Sequence, residues 1–205
     1  MCIVNSRKVK PRIIGLTGNI ACGKSLAAKI LSASELQTPE RRIAVIDADR
    51  VSQELTDKPG PVRDAIVRAF GGFDRDHIRQ KVFNNEVERK KLEAILHPAI
   101  RAASQEKFEA LFKQGFQIVV YEASLLFEAG RATDFDGVLL ITCDANVQRS
   151  RLKIRNPTLD DALVEKMISA QWPQEKKRQI ATWTIENNGT EEELKQKLSK
   201  WIESL

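Results

Sequence analysis

Eight consecutive residues, Gly18-Asn19-Ile20-Ala21-Cys22-Gly23-Lys24-Ser25, complete the pattern G-x-x-x-x-G-K-S, and their flanks constrain the fold more than any other stretch of the chain. Before them, Arg12-Ile13-Ile14-Gly15-Leu16-Thr17 is short and apolar and runs into a glycine, as a buried parallel strand does where it enters a turn. After them, Leu26, Ala27, Ile30 and Leu31 recur at helical spacing. Strand, glycine-bearing turn and helix in that order are the context in which this motif grips phosphate. The glycines let successive backbone N–H groups point at phosphate oxygens, and the helix amino terminus adds a favourable dipole. Lys24 supplies positive charge for the β and γ phosphates, and the Ser25 hydroxyl is a ligand for Mg²⁺. Gly18, Asn19, Ile20, Ala21, Cys22, Gly23, Lys24 and Ser25, with Leu26 behind them, are the candidate nucleotide-binding residues. Asn19 and Ala21 stand where many nucleotide kinases carry glycine, so a slightly stiffer turn is expected. The turn alone does not choose among kinases, GTPases and motor ATPases, which share it.

Three further apolar runs have the length of strands: Ile43-Ala44-Val45-Ile46, Phe116 to Tyr121 and Gly137 to Thr142. Helical stretches separate them, which implies an α/β fold with a doubly wound parallel sheet of the P-loop NTPase type. Between the second and third strands, Val62, Ile66, Val67 and Phe70, then Leu92, Ile95, Leu96 and Ile100, keep helical periodicity without strand signals. Residues 59–114 are therefore expected to form a helical insertion over the carboxyl edge of the sheet, where open α/β sheets bind ligands. Residues 147–171 read as two helices joined near Asn156-Pro157, and Glu191 to Leu205 as a closing amphipathic helix with Leu194, Leu198, Trp201 and Ile202 on its apolar side. Residues 1–58, 115–146 and 172–205 then make up the core. Trp172, Trp183 and Trp201 are expected to pack in that core rather than stack a cofactor.

A chain of 205 residues, 42% of them hydrophobic and 30% charged, suits one globular domain with a smaller lobe. No apolar run approaches the roughly 20 residues that cross a bilayer, and the opening MCIVNSRKVKPR lacks the apolar stretch and cleavage site of a signal peptide. A cytoplasmic protein without a membrane partner is expected. Cys2, Cys22 and Cys143 are odd in number and scattered, against both a disulfide framework and a zinc site, so each reads as a packing residue or an incidental thiol. The formal charge of +5 is modest, and Lys and Arg are interspersed with acids such as Glu86, Glu88 and Glu93. Such a surface tolerates polyphosphate ligands and does not form a nucleic-acid stripe, so no nucleic-acid partner is expected. A monomer or weak homo-oligomer is the expected state.

The second strand ends in Ile46-Asp47-Ala48-Asp49. Residues i and i+2 of a strand share a face, so both acids can approach a transferring phosphoryl group, one taking the acceptor hydroxyl's proton and the other organising water around Mg²⁺. On spacing alone an equal alternative is that Asp49 merely caps the helix that follows at Arg50. Pro98 implies a helix boundary at His97, which would shape that turn, and His77 matches no motif. Arg151 and Arg155, spaced i, i+4, share a helix face. Solvated charge is the ordinary role of such a pair; the alternative is neutralising the charge that phosphoryl transfer leaves on the equatorial oxygens. Glu122, at the end of the third strand, is either a second metal-organising acid or a salt-bridge partner. Leu125, Leu126 and Phe127 read as core by their apolar character. Asn187-Asn188-Gly189 is a turn whose amides can also read an adenine edge.

Taken in order, Gly15 to Ser25, Val45 to Asp49, Leu96 to Ile100 (L-x-H-P-x-I), Leu125 to Glu128 (L-L-F-E) and Ala181 to Gly189 make the chain resemble the dephospho-coenzyme A kinase family. The resemblance implies ATP- and Mg²⁺-dependent phosphorylation of the ribose 3′-hydroxyl of dephospho-coenzyme A. It implies Asp49 as general base and Asn187 as a nucleotide contact; beside them Lys24 and one of the two arginines, Arg151 or Arg155, are the candidates for neutralising charge in catalysis, the other arginine being a nucleotide contact. It places Asp47, Asp49, His97 and Leu125 on the acceptor side, the coenzyme A portion on the helical insertion, and a mobile lid at residues 147–171. Members commonly carry Asp and Pro near positions 122 and 124, and an acid where this chain has Asn156. A kinase for nucleosides or nucleotides shares the same sheet and lid. A slow guanine-nucleotide switch would need an Asn/Thr-Lys-x-Asp element, which the sequence lacks.

Overall fold

The computed structural model describes residues 10–39, 41–83 and 85–205; Cys2 and the rest of the opening nine residues lie outside the described residues. Five strands, β1 (Arg12–Gly18), β2 (Ile43–Asp47), β3 (Ile118–Glu122), β4 (Gly137–Thr142) and β5 (Trp183–Glu186), form one sheet in the order β2-β3-β1-β4-β5. β1 pairs in parallel with β3 and with β4, and β4 with β5, so the expected parallel α/β sheet is what forms. The helices are α1 (Lys24–Ser32), α2 (Ala48–Asp57), α3 (Pro61–Phe70), α4 (Arg75–Phe83), α5 (Glu86–Lys113), α6 (Ala145–Arg155), α7 (Asp161–Ser169), α8 (Gln174–Arg178) and α9 (Glu191–Glu203).

The pleat sorts the strands' apolar residues onto two faces. Ile14, Leu16, Ile118, Val120, Leu139 and Ile141 pack with α1 and α9 through Ala27, Leu31, Leu194, Leu198 and Trp201. Val138 and Leu140 point the other way, against Leu126, Phe127, Phe135 and Trp172. Runs that bury alternate residues on opposite faces must be apolar throughout, which is why β3 and β4 lack polar alternation. The carboxyl end of β1 is thereby held at the centre of the sheet, and the phosphate-loop turn starts from a fixed point.

The backbone divides into two compact units: the described part of Met1–Val45 with Leu111–Leu205, and Ile46–Ala110. In the second unit Ile66, Phe70 and Ile78 form a small core with Val62, Phe73, Leu92, Ile95 and Leu96.

One expectation is corrected, and two elements are added to those the sequence marks. The helix boundary placed at His97-Pro98 does not exist, because α5 runs through Pro98. Proline there removes only the N–H that would have bonded to the Ala94 carbonyl, a loss that the remaining turns of a long helix can carry as a bend. β5 adds a strand beyond the four that the apolar runs mark; it is four residues long and has two exposed positions. α8 is a single short element of mostly charged residues, with no periodic signal.

Candidate active site

The loop between β1 and α1 closes on itself: the Cys22 N–H donates to the Asn19 carbonyl at 3.1 Å, and the Ala27 N–H to the Gly23 carbonyl at 3.0 Å. Gly23 has φ 93°, and a Cβ there would meet Asn187 Nδ2 at 2.1 Å, so both backbone and space demand glycine. Ala21 has φ 62° and is the only left-handed non-glycine among the described residues. The stiffness expected of the loop therefore takes a definite form, an alanine held where glycine is at ease.

Lys24 and Ser25, the first two residues of α1, converge on one carboxylate. The Lys24 ammonium lies 2.5 Å from Glu122 Oε1, and Ser25 Oγ donates to the same oxygen at 2.8 Å. Glu122 ends β3 and is buried. Parallel pairing sets Leu16 of β1 opposite Glu122 and so delivers the acid to the loop's base. The two readings left open for Glu122 thus have one geometry: a carboxylate in an ion pair with the lysine and a hydrogen bond with the candidate metal-binding hydroxyl.

Amide side chains grip the loop from outside. Asn19 Nδ2 donates to the Trp172 carbonyl at 3.0 Å, and the Trp172 N–H donates to Glu128, which is ion-paired with the fully buried Lys177 at 2.7 Å. The Ile20 N–H donates to Gln171 Oε1 at 2.7 Å, and Gln148 Nε2 to the Ile20 carbonyl at 2.8 Å. Asn187 Nδ2 donates to the Cys22 carbonyl at 2.9 Å. Asn187 is thus buried against the loop, its amide N–H directed at protein backbone. None of Gln148, Gln171, Glu128 or Lys177 was marked as a site residue by sequence reasoning. A lone glutamine has no spacing signature, and these contacts join residues more than forty positions apart.

Arg151 and Arg155 part ways. Arg151 Nη1 donates to the Asn187 carbonyl at 2.8 Å and Nη2 to the Gly189 carbonyl at 3.3 Å, whereas Arg155 is exposed at the end of α6. Cys22 and Cys143 are buried free thiols with their sulfurs 3.3 Å apart. That contact and burial push the Cys22 thiol up, while the contact with Cys22, helped by the Arg151 guanidinium, draws the Cys143 thiol down. Both are packing residues, as expected.

The acidic pair does not share a strand. β2 ends at Asp47 and α2 begins at Ala48, so the shared strand face inferred for Asp47 and Asp49 is replaced by a cap and a first helical turn. Asp47, not Asp49, is the N-cap: its carboxylate accepts from the N–H groups of Asp49 at 2.8 Å and Arg50 at 3.4 Å. Asp49 is exposed in the first turn of α2, and His97 is exposed on α5. Leu126 and Phe127 are core as expected, but Leu125 is 51% exposed, because consecutive residues of that turn cannot all face inward.

A central parallel strand feeding a G-x-x-x-x-G-K-S turn at a helix amino terminus defines a P-loop kinase fold. Shikimate kinase from Acinetobacter baumannii shares that fold, at a TM-score of 0.54 and 18% identity over 96% of this chain and 95% of that one. The family model for dephospho-CoA kinase matches residues 12–193, and the chain belongs to the dephospho-CoA kinase family. The dephospho-CoA kinase of Geobacillus kaustophilus is 41% identical over 90% of this chain and 92% of its own. The solved dephospho-CoA kinase from Campylobacter jejuni superposes with a TM-score of 0.67 at 26% identity, over 94% of this chain and 96% of that one. Family membership makes the chain a kinase with ATP as its phosphoryl donor.

Proposed function

We propose that this protein transfers the γ-phosphoryl group of ATP to the ribose 3′-hydroxyl of dephospho-coenzyme A, the last step of coenzyme A synthesis. The observation that carries the reading is the convergence of Lys24 and Ser25 on Glu122 at the mouth of the loop. A triphosphate entering the loop offers the Lys24 ammonium a new anionic partner, and the loop's N–H groups together with the α1 amino terminus take its oxygens. The new bond forms between the acceptor's 3′ oxygen and the γ phosphorus as the bond to the β,γ-bridging oxygen breaks, and ADP leaves. Asp49, exposed in the first turn of α2, accepts the hydroxyl proton, while Asp47 caps that helix. Arg151 neutralises charge on the transferring group, with Arg155 further along the same helix as a nucleotide contact. Asn187 supports the nucleotide through the Cys22 carbonyl.

The donor set suits Mg²⁺, since Ser25 Oγ and Glu122 Oε1 are hard oxygen atoms 2.8 Å apart. When bound there, the ion would be held by Ser25, with Glu122 ordering its water, and would neutralise phosphate charge. His97, Leu125 and the helices of residues 59–114 form the acceptor side, and residues 147–171 the lid. The enzyme works in the cytoplasm as a monomer or weak homo-oligomer, without nucleic-acid or membrane partners.

Acceptor-dependent ADP release tests the reading. Purified protein with ATP and magnesium is expected to release ADP with dephospho-coenzyme A and far more slowly with nucleoside monophosphates; the reverse preference would overturn the acceptor assignment.

A further inference from the structure

Ala21 is the anomaly of the phosphate loop. A left-handed alanine is disfavoured by roughly tenfold against its ordinary conformations, yet φ is 62° here. Such a conformation persists only where its surroundings fix it. Two peptide groups flank Ala21, and both are pinned. The peptide after it is held by the Cys22 N–H bond to the Asn19 carbonyl at 3.1 Å. The peptide before it, whose plane turns with the φ of Ala21, is held by Gln148 Nε2 on the Ile20 carbonyl at 2.8 Å. One residue earlier, Gln171 Oε1 takes the Ile20 N–H at 2.7 Å. Gln148 is 2% exposed, so its amide is directed into the protein, where an unbonded polar group would be costly.

We propose that Gln148, on the Ile20 carbonyl, and Gln171, on the Ile20 N–H, are positioning residues that fix the peptides on either side of Ile20 and thereby keep Ala21 left-handed, in the shape the loop needs for phosphate. Gln148 lies in the first turns of α6 and Gln171 just beyond α7, so the two ends of the helical pair of residues 147–171 meet on one loop residue, Ile20. Neither side chain touches the nucleotide in this account; each acts through Ile20.

This inference rests on the loop being the ATP site, and a double-mutant cycle tests the two separately. ATP affinity is measured by calorimetry, with KM for each substrate and kcat alongside, for the unaltered protein, Q148A, Q171A, A21G and both combinations. Glycine adopts the left-handed conformation without penalty, so A21G removes the need for the clamp. If the competent population of the loop falls about tenfold, the apparent Kd for ATP rises by the same factor. Q148A is expected to weaken ATP by roughly that much with little change in kcat or in the acceptor's KM. In the A21G background the same substitution is expected to cost less than about threefold. A penalty that persists undiminished in that background, or no penalty at all, overturns the proposal. Should Q148A fail to fold, the Q171A cycle, at a less buried residue, gives the same reading. Failure of the unaltered protein to bind ATP would instead sink the assignment of the loop itself.

Discussion

Glu122→Gln separates the two partners that compete for Lys24. The lysine and glutamate side chains are 12% and 9% exposed, and their charged atoms lie 2.5 Å apart. Glutamine keeps the size and an acceptor oxygen for Ser25 Oγ but removes the countercharge. Removing one partner of a buried pair costs about 3–5 kcal/mol; the retained oxygen sets the expected loss near ~3 kcal/mol. At about 2–4 °C per kcal/mol for a chain of this length, the unliganded melting midpoint should fall by roughly 6–12 °C. ATP should then narrow the gap. In the unaltered protein Lys24 must leave Glu122 to meet phosphate, whereas in the variant the phosphate supplies the missing charge. ATP at about 100 times its Kd adds about 2.7 kcal/mol by mass action, and the variant should gain further by the cost of the pair it no longer breaks. Scanning fluorimetry across an ATP series in EDTA isolates this competition from any role of Glu122 toward magnesium. Equal ATP-induced shifts in the two proteins, or an unliganded midpoint that does not move, would refute the reasoning.

Asp49→Asn should lower kcat by about 10²–10⁴, the usual contribution of a general base, while ATP affinity by calorimetry stays within about a few-fold; near-normal turnover would remove Asp49 from the chemistry. Asp47→Ala, which removes the α2 cap, should cost about 1 kcal/mol in a denaturant titration. Chelation of magnesium should abolish ADP release, and adding Mg²⁺ back should restore it. Leu198→Ala, at a fully buried position of α9, should destabilise by about 2–5 kcal/mol without altering KM for either substrate.

Where the chain's structure rests on local pattern, it is readable from the residues. β1 and β4 are mostly apolar, without polar alternation, because both of their faces are covered, and the loop between β1 and α1 carries its own spacing. β5 escapes such reading, since Thr184 and Glu186 face outward on an edge strand of four residues. Pro98 misleads because a long helix tolerates one missing donor. The choice of cap turned on one residue: Asp47 and Asp49 have the same chemistry, and only the strand's end point decides which carboxylate meets the free N–H groups. The clamp on Ile20 joins residues 128 and 151 positions apart, a separation that no local pattern encodes.

The most direct test of the whole account is a crystal structure of the protein with magnesium, a non-hydrolysable ATP analogue and dephospho-coenzyme A. The account predicts the triphosphate seated in residues 18–25, Lys24 moved from Glu122 onto it, and the acceptor's 3′ oxygen within hydrogen-bonding reach of the Asp49 carboxylate. An empty loop, or an acceptor whose 3′ oxygen faces away from Asp49, would contradict it.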